Sequence, residues 1–371
     1  MAEEHEKGQE IGAANPARPG HATMNTIATH LGVSRATVSH VLNGRSAEQR
    51  IRPETQSRVL DVARELGYRP NALARSVRSG KSRMIGYLVS DPRYEPYWNT
   101  IIGALDEAEQ EGFTLKVLSV TPGTFAERIR QCMELRLGGL IVRINQDKST
   151  LFAEANRVGI PVVTVDESVP QSFGVRVNAA DALGCREAVS HLVELGHRRI
   201  GFISSGFGRQ PLEIVPTREG LFLQEMATRG LDVPDGCVTR ETMLVYGRRA
   251  KAGHDTATGL AATDALLEHP AGRPTAIFCW RDEAALVAIQ ACHRRGLRVP
   301  GDISVVGFSD ISAAWLCDPP LTTCQSPWEE MGRTAVRQLV NAVEGEFDPS
   351  PREILIPSGL VVRQSSGPAP T

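Results

Sequence analysis

The feature that most constrains the fold of this chain is an alternation, from Met84 onward, of short apolar runs with longer segments of helical periodicity. The runs predict strands at residues 84–90, 115–120, 140–143, 162–166, 200–204, 276–279 and 303–308. Helical patterns lie between most of them, at residues 101–110, 187–195, 220–228, 283–295 and 331–343. This alternation predicts an α/β body with parallel sheets and helices on both faces. Because about 280 residues are too many for one such sheet, we expect two lobes.

Residues 23–69 carry a different pattern, which predicts an all-α domain. Apolar spacing predicts a first helix over 24–31 and a second over 35–42, joined by a tight turn at Gly32. Two short helices about a glycine turn form a helix-turn-helix. A third helix is predicted to begin at Pro53 and to stop at Gly67. Its predicted inner face consists of Val59, Val62, Ala63 and Leu66.

The charge of the chain is unevenly distributed, although its formal net value is only −2. Residues 23–83 hold 11 Lys and Arg against 4 Asp and Glu, whereas residues 84–371 hold 28 against 35. A small basic head on an acidic body is the pattern that neutralisation of nucleic-acid phosphates requires. Residues 1–22 contain no apolar stretch typical of a signal peptide and are interpreted as a flexible extension.

Several classes of protein are disfavoured by what the sequence contains. No apolar run approaches the ~20 residues of a membrane span, so we expect no membrane partner. Seven widely spaced cysteines without a C-x-x-C pair favour a reduced, cytoplasmic chain with no metal site and no cofactor. We find no nucleophile-elbow, metal-ligand or phosphate-loop motif, which argues against an enzyme that carries a DNA-binding head.

Specific motifs give the head a family resemblance. The run G-V-S-R-A-T-V-S-H-V-L-N (residues 32–43), followed by P-E-T, E-L-G-Y-R-P-N and A-R-S, resembles the lactose-repressor (LacI/GalR) family. The body resembles the same family through P-V-V-T-V-D at Pro161, L-G-H-R-R-I at Leu195, G-L-R-V-P-G-D-I-S-V-V-G-F at Gly296, P-L-T-T at Pro320 and L-V-V-R-Q-S-S at Leu360. The resemblance therefore covers nearly the whole chain.

The resemblance implies that the second helix lies in the major groove of DNA. It assigns base contacts to Arg35, Ala36 and His40, and Arg35 can present two donors to guanine O6 and N7. His40 departs from the arginine often found in the family. Phosphate contacts are expected from the short polar side chains of Thr23, Ser34, Thr37, Ser39 and Asn43. For Ser34 a helix cap alone is the alternative interpretation.

Residues 70–83 are predicted to be a hinge. A helix over 71–78 would be shorter than the ~12–15 residues that hold an isolated helix together in water. By resemblance the hinge folds against the partner's hinge and the minor groove, with Asn71 and Ala74 in contact and Val77 wedged between base pairs. A disordered linker with Val77 exposed is the alternative for the protein off DNA.

A loop over residues 44–52 joins the second and third helices and is a few residues longer than is usual in the family. It contains Arg45, Arg50 and Arg52. Two interpretations stay open, additional phosphate contacts or a solvated surface.

The body resembles periplasmic sugar-binding proteins, in which the chain crosses three times between two lobes. We place the crossings near Asn178, Gln325 and Ser350. The first lobe then comprises residues 84–178 and 326–349, and the second comprises residues 179–325 and 350–366. Ligands of parallel α/β sheets bind beyond the carboxyl ends of the strands, so a small-molecule effector is expected between the lobes.

Six positions are candidate effector contacts: Tyr97, Trp98, Arg218, Arg281, Ser309 and Asp310. Core packing is the alternative for Trp98, and a surface arginine at a helix start is the alternative for Arg218. Arg218 with Arg281, and Ser309 where relatives have Asp, favour an anionic effector over a sugar. Asp310 can replace the missing carboxylate, which leaves a sugar open. Asp282 is expected to cap the following helix.

Together these features predict an effector-responsive, sequence-specific repressor. It binds a near-palindromic operator as a homodimer, since the sequence after Arg363 shows no heptad for a tetramerisation helix. A regulator of the same fold that answers only to a protein partner is the alternative. A secreted solute-binding protein would share the body but would have no use for Arg35 or the hinge.

Overall fold

A computed structural model describes residues 22–68, 82–121, 123–144, 148–166, 174–205, 217–241, 254–345, 348 and 350–371. The chain forms two compact units, residues 1–80 and residues 81–371. Helices and strands are numbered below in chain order.

The first unit is a three-helix head. Its helices are α1 (Met24–Leu31), α2 (Arg35–Leu42) and α3 (Pro53–Glu65). The predicted bounds of the first two helices are confirmed. The buried core consists of Ile27, Ala28, Val38, Val41, Val59, Val62 and Ala63. The assignment of Leu66 to this core was wrong, because α3 ends at Glu65 and Leu66 is 37% exposed.

The turns of the head are fixed by local hydrogen bonds. Thr23 Oγ1 accepts from the Thr26 backbone N–H (3.2 Å), and Thr26 Oγ1 accepts in return from the Thr23 N–H (3.1 Å). This reciprocal capping box satisfies amide groups that the first turn of a helix leaves unpaired. Gly32 ends α1 with a φ of 65°, a left-handed conformation that only glycine adopts without steric cost. The turns of the head are therefore determined by residues that lie close together in the sequence.

The second unit contains two six-stranded sheets. The strands of the first sheet are β1 (Met84–Val89), β2 (Thr114–Ser119), β3 (Leu140–Arg143), β4 (Val162–Val165), β5 (Val175–Ala180) and β11 (Arg352–Pro357). They have the order β11-β5-β4-β3-β1-β2, and all are parallel. The helices of this lobe are α4 (Glu95–Gln110), α5 (Phe125–Glu134), α6 (Ser149–Val158) and α12 (Trp328–Glu344). Separate apolar clusters, one containing Tyr87 and one containing Leu88, pack on the two faces of the sheet.

The strands of the second sheet are β6 (Ile200–Ser205), β7 (Val238–Glu241), β8 (Ala276–Cys279), β9 (Ser304–Ser309), β10 (Thr322–Gln325) and β12 (Gly359–Val361). They have the order β12-β10-β9-β8-β6-β7, in which only β12 is antiparallel to its neighbour. The accompanying helices are α7 (Asp181–Glu194), α8 (Arg218–Thr228), α9 (His254–Leu267), α10 (Asp282–Arg294) and α11 (Ser312–Leu316). None of the helices in the described ranges is long and apolar enough to cross a membrane.

The predicted crossing near Ser350 was wrong. Residues 352–357 form β11, which pairs with β5 and so belongs to the first sheet. The chain passes to the second sheet at Ser358, between β11 and β12. Strand β11 is an edge strand whose side chains alternate between exposed and half-buried, so it lacks the continuous apolar run by which a central strand is recognised.

A close crossing of α4 and α12 supports the first lobe. A Cβ added to Gly332 would lie 2.0 Å from the carbonyl oxygen of Thr100, and one added to Gly103 would lie 1.9 Å from the carbonyl oxygen of Glu329. The two backbones approach closely because both helices have a glycine at the crossing. The crossing in turn positions Trp328, the first residue of α12, beside Arg143 at the carboxyl end of β3.

We predict that Gly332→Ala destabilises the protein, because its methyl group forces α4 and α12 apart. Overpacking of this kind costs typically ~1–3 kcal/mol, which urea unfolding of the full chain measures. Gly123→Ala is the control, since an added Cβ there meets no described atom within 4 Å. Equal unfolding free energies for the two variants would contradict the close crossing.

Candidate functional site

Helix α2 presents the predicted base-contacting residues on one side. Arg35 and Ala36 are exposed and His40 is half-buried, whereas Val38 and Val41 on the opposite side are buried in the head core. The helix therefore has one face fixed by packing and one face free to enter a groove. The roles of these three residues stay predictions.

The predicted phosphate-contacting residues all belong to helix ends or to α2 itself. Ser34 Oγ accepts from the Thr37 N–H (3.0 Å), so Ser34 is a helix cap in this structure. Asn43 Nδ2 donates to the Ser39 carbonyl oxygen (2.6 Å). These contacts hold the side chains beside α2 and, with the capping role of Thr23, account for their local geometry. The predicted hinge contacts Asn71, Ala74 and Val77 lie outside the described residues.

A cluster of paired charges occupies the carboxyl ends of the strands in the body. Arg143, the last residue of β3, is 2% exposed, and its guanidinium stacks on the rings of Tyr97 (4.1 Å) and Trp328 (4.5 Å). Its NH2 group donates to Asp166 Oδ2 (2.7 Å), and its NH1 group donates to Thr100 Oγ1 (2.7 Å). The Nε of Arg143 has no partner among the described residues. Burial lowers the pKa of Arg143, but its interactions with Asp166, Tyr97 and Tyr87 together raise that pKa above its ordinary value.

Arg218 forms a second ion pair in this cluster. Thr217 caps α8, and Arg218 at its first position donates from Nε to Asp181 Oδ2 (2.8 Å) and from NH1 to the Trp280 carbonyl oxygen (2.7 Å). Its guanidinium lies 3.8 Å from the ring centroid of Phe308. Burial raises the pKa of Asp181 in spite of Arg218, and Asp181 Oδ1 has no partner within the described ranges. Arg218 is thus not a solvated surface arginine.

Arg281 forms the third pair. Its Nε donates to Glu241 Oε1 (2.7 Å), which also accepts from Trp280 Nε1 (2.9 Å). Both partners of the ion pair are almost completely buried. Each of the two arginines that favoured an anionic effector therefore has its own carboxylate. Because both cations are already neutralised, Arg218 and Arg281 no longer favour an anionic effector.

The three ion pairs are close enough for their charges to act on the same titratable groups. Burial raises the pKa of the Tyr94 hydroxyl, and the charges of Glu283, Arg281 and Arg143 also act on it. Burial likewise raises the pKa of Asp181, on which Asp166 acts as a second negative charge. Tyr94 and Asp166 belong to the first lobe and Asp181 and Arg281 to the second, so the strand ends of both lobes converge.

The backbone after two of the strands is strained. Asp166 follows β4 with a φ of 57°, and Ser309 and Asp310 at the end of β9 have φ values of 127° and 57°. Such conformations are disfavoured for residues with a side chain and cluster at ligand sites. The Ser309 carbonyl oxygen accepts from Trp328 Nε1 (3.3 Å), which joins the second sheet to α12.

The candidate effector contacts Asp310, Tyr97 and Trp98 differ in pairing and in exposure. Asp310 accepts from Arg363 NH2 (2.7 Å), so its carboxylate is already paired. Tyr97 is buried beside Arg143, whereas Trp98 is 47% exposed, which excludes core packing for Trp98.

The expected helix-capping role of Asp282 was wrong. Arg281 occupies the cap position of α10, and Asp282 instead accepts from the Ile311 N–H (2.9 Å) and from Thr323 Oγ1 (2.5 Å). Burial raises the pKa of Asp282 to about 7. This carboxyl group ties α10 to the segment that follows β9.

Sequence reasoning missed five members of the cluster: Arg143, Asp166, Asp181, Glu241 and Trp328. A signal existed for Arg143 and Asp166, since each is a charged residue at the carboxyl end of a predicted strand. Asp181 and Glu241 lie at the ends of β5 and β7, two strands that the sequence analysis did not predict.

Comparison with known proteins gives a consistent result. The family model for bacterial regulatory proteins, lacI family, matches residues 23–71, and the model for a periplasmic binding protein-like domain matches residues 189–366. The HTH-type transcriptional repressor PurR of Photobacterium profundum is 30% identical over 333 residues, which cover 87% of this chain and 92% of PurR.

Two solved structures are similar over almost the whole chain. The lac repressor dimer bound to operator and the anti-inducer ONPF is 26% identical with a TM-score of 0.76, covering 94% of this chain and 100% of that one. The transcriptional regulator CelR in complex with cellobiose is 25% identical with a TM-score of 0.65, covering 93% and 99%. The family comprises transcriptional repressors, which are not enzymes. By its sequence and its fold, this chain belongs to the lacI family of bacterial regulatory proteins.

Proposed function

We propose that this protein is a cytoplasmic, sequence-specific DNA-binding repressor whose affinity for its operator is set by a small-molecule effector. The proposal is supported by the presence of two functional parts in one chain. A basic three-helix head exposes Arg35 and Ala36 on α2, and a separate body brings paired charges from two sheets together at their strand ends.

In the DNA complex α2 lies in the major groove. Arg35 donates to guanine O6 and N7, Ala36 offers a methyl contact, and His40 supplies one donor or acceptor. Phosphates are bound by the short polar side chains at the ends of the first two helices and along α2, namely Thr23, Ser34, Thr37, Ser39 and Asn43. A homodimer reads a near-palindromic site, because its two-fold symmetry repeats the same contacts in each half-site.

The effector binds at the converging strand ends, where Tyr97, Trp98, Arg218, Arg281, Ser309 and Asp310 are its proposed contacts. We propose a neutral, hydroxyl-rich effector. An anion would meet the carboxylates of Asp166, Asp181 and Glu241, which already compensate the three arginines. Hydroxyl groups can instead donate to the carboxylates of Asp166 and Asp181, whose side chains remain 42% and 30% exposed.

The effector acts by linkage. A ligand that contacts residues of both lobes stabilises one arrangement of the lobes over another, and so changes the population of the DNA-competent dimer. The coupling equals the difference between the effector's affinities for the two states, which is typically ~1–3 kcal/mol for such systems.

Replacement of Arg35 tests the reading helix. Arg35→Ala should cost ~1–3 kcal/mol of operator affinity and relax the preference at one base position in each half-site, because a two-pronged base contact is lost. The measurement is selection of sites from a random duplex library by wild-type and variant full-length protein, followed by anisotropy titrations. An equal loss on every sequence would make Arg35 a phosphate contact.

Replacement of Val77 tests the hinge. Val77→Ala should weaken binding to the selected site much more than binding to a scrambled duplex, because only the specific complex needs a side chain wedged into an opened base step. Val77→Leu should preserve specific binding. Equal losses on both duplexes for Val77→Ala would show that no wedge exists.

Replacement of Arg218 tests the effector site. Arg218→Ala should abolish the response to effector while leaving operator affinity without effector nearly unchanged, and Arg218→Lys should restore the response poorly, because an ammonium cannot reproduce the two-pronged guanidinium geometry. Native mass spectrometry of protein purified from cytosol identifies the co-purified effector. Anisotropy titrations of the operator with and without that effector measure the response.

The matched control is Arg229→Ala, at the other end of α8, where Arg229 pairs with Glu225. Urea unfolding of both variants measures the stability that each loses with its ion pair. If Arg218→Ala leaves the midpoint of the effector response unchanged, the ligand binds elsewhere.

A further inference from the structure

Residues 309–311, hereafter the strained segment, connect β9 to α11 in a conformation that their side chains disfavour. Ser309 has a φ of 127° and Asp310 a φ of 57°, although neither is glycine. Residues with a side chain adopt such conformations only where the surrounding structure holds them. Since Ser309 and Asp310 are proposed effector contacts, the groups that hold this segment also determine the shape of the effector site.

The backbone of the strained segment is anchored at both ends. The Ser309 carbonyl oxygen accepts from Trp328 Nε1 (3.3 Å), and the Ile311 N–H donates to Asp282 Oδ2 (2.9 Å). Asp310 takes part in neither of these hydrogen bonds. The left-handed conformation of Asp310 therefore depends also on the contacts of its own side chain.

The carboxylate of Asp310 is held on both of its oxygens. Arg363 NH2 donates to Oδ1 (2.7 Å), and Gln325 Nε2 donates to Oδ2 (3.2 Å). The side chains of Arg363 and Asp310 are only 19% and 10% exposed. Water screens such a pair less than it screens a surface pair, so the charge-assisted bond from Arg363 is the stronger of the two contacts.

Arg363 is itself fixed to the second sheet. Its N–H donates to Thr322 Oγ1 (2.9 Å), and its NH1 group donates to the Leu321 carbonyl oxygen (2.8 Å). Ser365, which follows shortly along the chain, is completely buried, and its Oγ donates to the Val305 carbonyl oxygen (2.6 Å). The guanidinium thus extends from an anchored backbone, so it fixes the carboxylate of Asp310 and does not simply follow it.

We propose that Arg363 is a positioning residue of the effector site. It holds Asp310 in the left-handed conformation, and with it the strained segment, so that Ser309 and Asp310 meet the effector in a fixed geometry. The proposal rests on the proposed effector site and deepens it by adding a residue from the C-terminal part of the chain. Contacts that are held in place before binding lower the entropic cost of binding a ligand.

Hydrogen–deuterium exchange of the full-length protein, measured without effector, tests the positioning role. Arg363→Met removes the guanidinium and keeps an unbranched side chain. We expect the amides of Ile311 and Ser312 to exchange at least about tenfold faster in this variant, because a charge-assisted hydrogen bond no longer restrains the strained segment. Arg363→Lys should fall between Arg363→Met and the wild type, since an ammonium can pair with Asp310 but lacks the fork that also reaches Leu321.

The matched control is Arg295→Met. Arg295 also lies in the second lobe and also donates to two partners, the carboxylates of Asp264 and Glu268. Its replacement should leave the exchange of the strained segment unchanged.

A double-variant cycle shows whether Arg363 acts through Asp310. Glycine adopts the left-handed conformation without steric cost, so Asp310→Gly removes both the carboxylate and the strain. In the Asp310→Gly background, Arg363→Met should change the exchange of the strained segment by less than about twofold. The same increase in both backgrounds would contradict the proposal, because Arg363 would then act independently of Asp310.

Binding of a probe sugar tests the consequence for the effector site. The probe is the neutral monosaccharide or disaccharide that most raises the melting temperature of the wild-type protein in a screen. We expect calorimetry to show at least about tenfold weaker binding of this sugar to Arg363→Met, intermediate binding to Arg363→Lys and unchanged binding to Arg295→Met.

Unchanged exchange of Ile311 and Ser312 in Arg363→Met would overturn the proposal, as would a sugar affinity equal to that of the wild type. A screen in which no sugar stabilises the wild-type protein would contradict the neutral, hydroxyl-rich effector instead. In that case the exchange cycle still decides whether Arg363 positions Asp310.

Discussion

The body of this protein depends on the pairing of largely buried arginines with carboxylates at the carboxyl ends of its strands. Removing a charge from water is costly, and the cost is recovered only when the partner is close and the remaining hydrogen bonds are made. Arg143 meets this condition with Asp166, Thr100 and two aromatic rings. Such pairs are sensitive to small displacements, which makes them suitable elements for a site that must distinguish two arrangements of its lobes.

The same pairs explain why the chemistry of the effector was predicted differently from sequence and from structure. In the sequence alone, Arg218 and Arg281 suggest a cationic site. In the fold, Asp181 lies 37 positions from Arg218 along the chain, and Glu241 lies 40 positions from Arg281, yet each is in hydrogen-bond contact. A neutralised cluster in which the carboxylates of Asp166 and Asp181 remain partly exposed favours hydroxyl groups over a carboxylate or a phosphate.

The sequence predicted most reliably those elements that are determined locally. Helices α1 and α2 follow from caps and a glycine turn, and β3 and β8 follow from apolar runs that are buried on both faces, so all four have the predicted bounds. Strand β7 has only four residues, of which Val238 alone is apolar, and so it has no such pattern. The contact between Arg143 and Asp166 depends on the parallel register that pairs Leu140 with Val162, which no local pattern encodes.

We propose that the binding of operator DNA and the binding of effector to this protein are coupled in free energy. Linkage requires the coupling to be reciprocal, so the factor by which effector changes operator affinity must equal the factor by which operator changes effector affinity. The direct measurement is calorimetric titration of effector into full-length protein with and without the selected duplex, compared with anisotropy titration of the duplex with and without effector. We predict equal factors of about 5–150 from the two titrations. An effector that binds with the same affinity in the presence and absence of the duplex would contradict it.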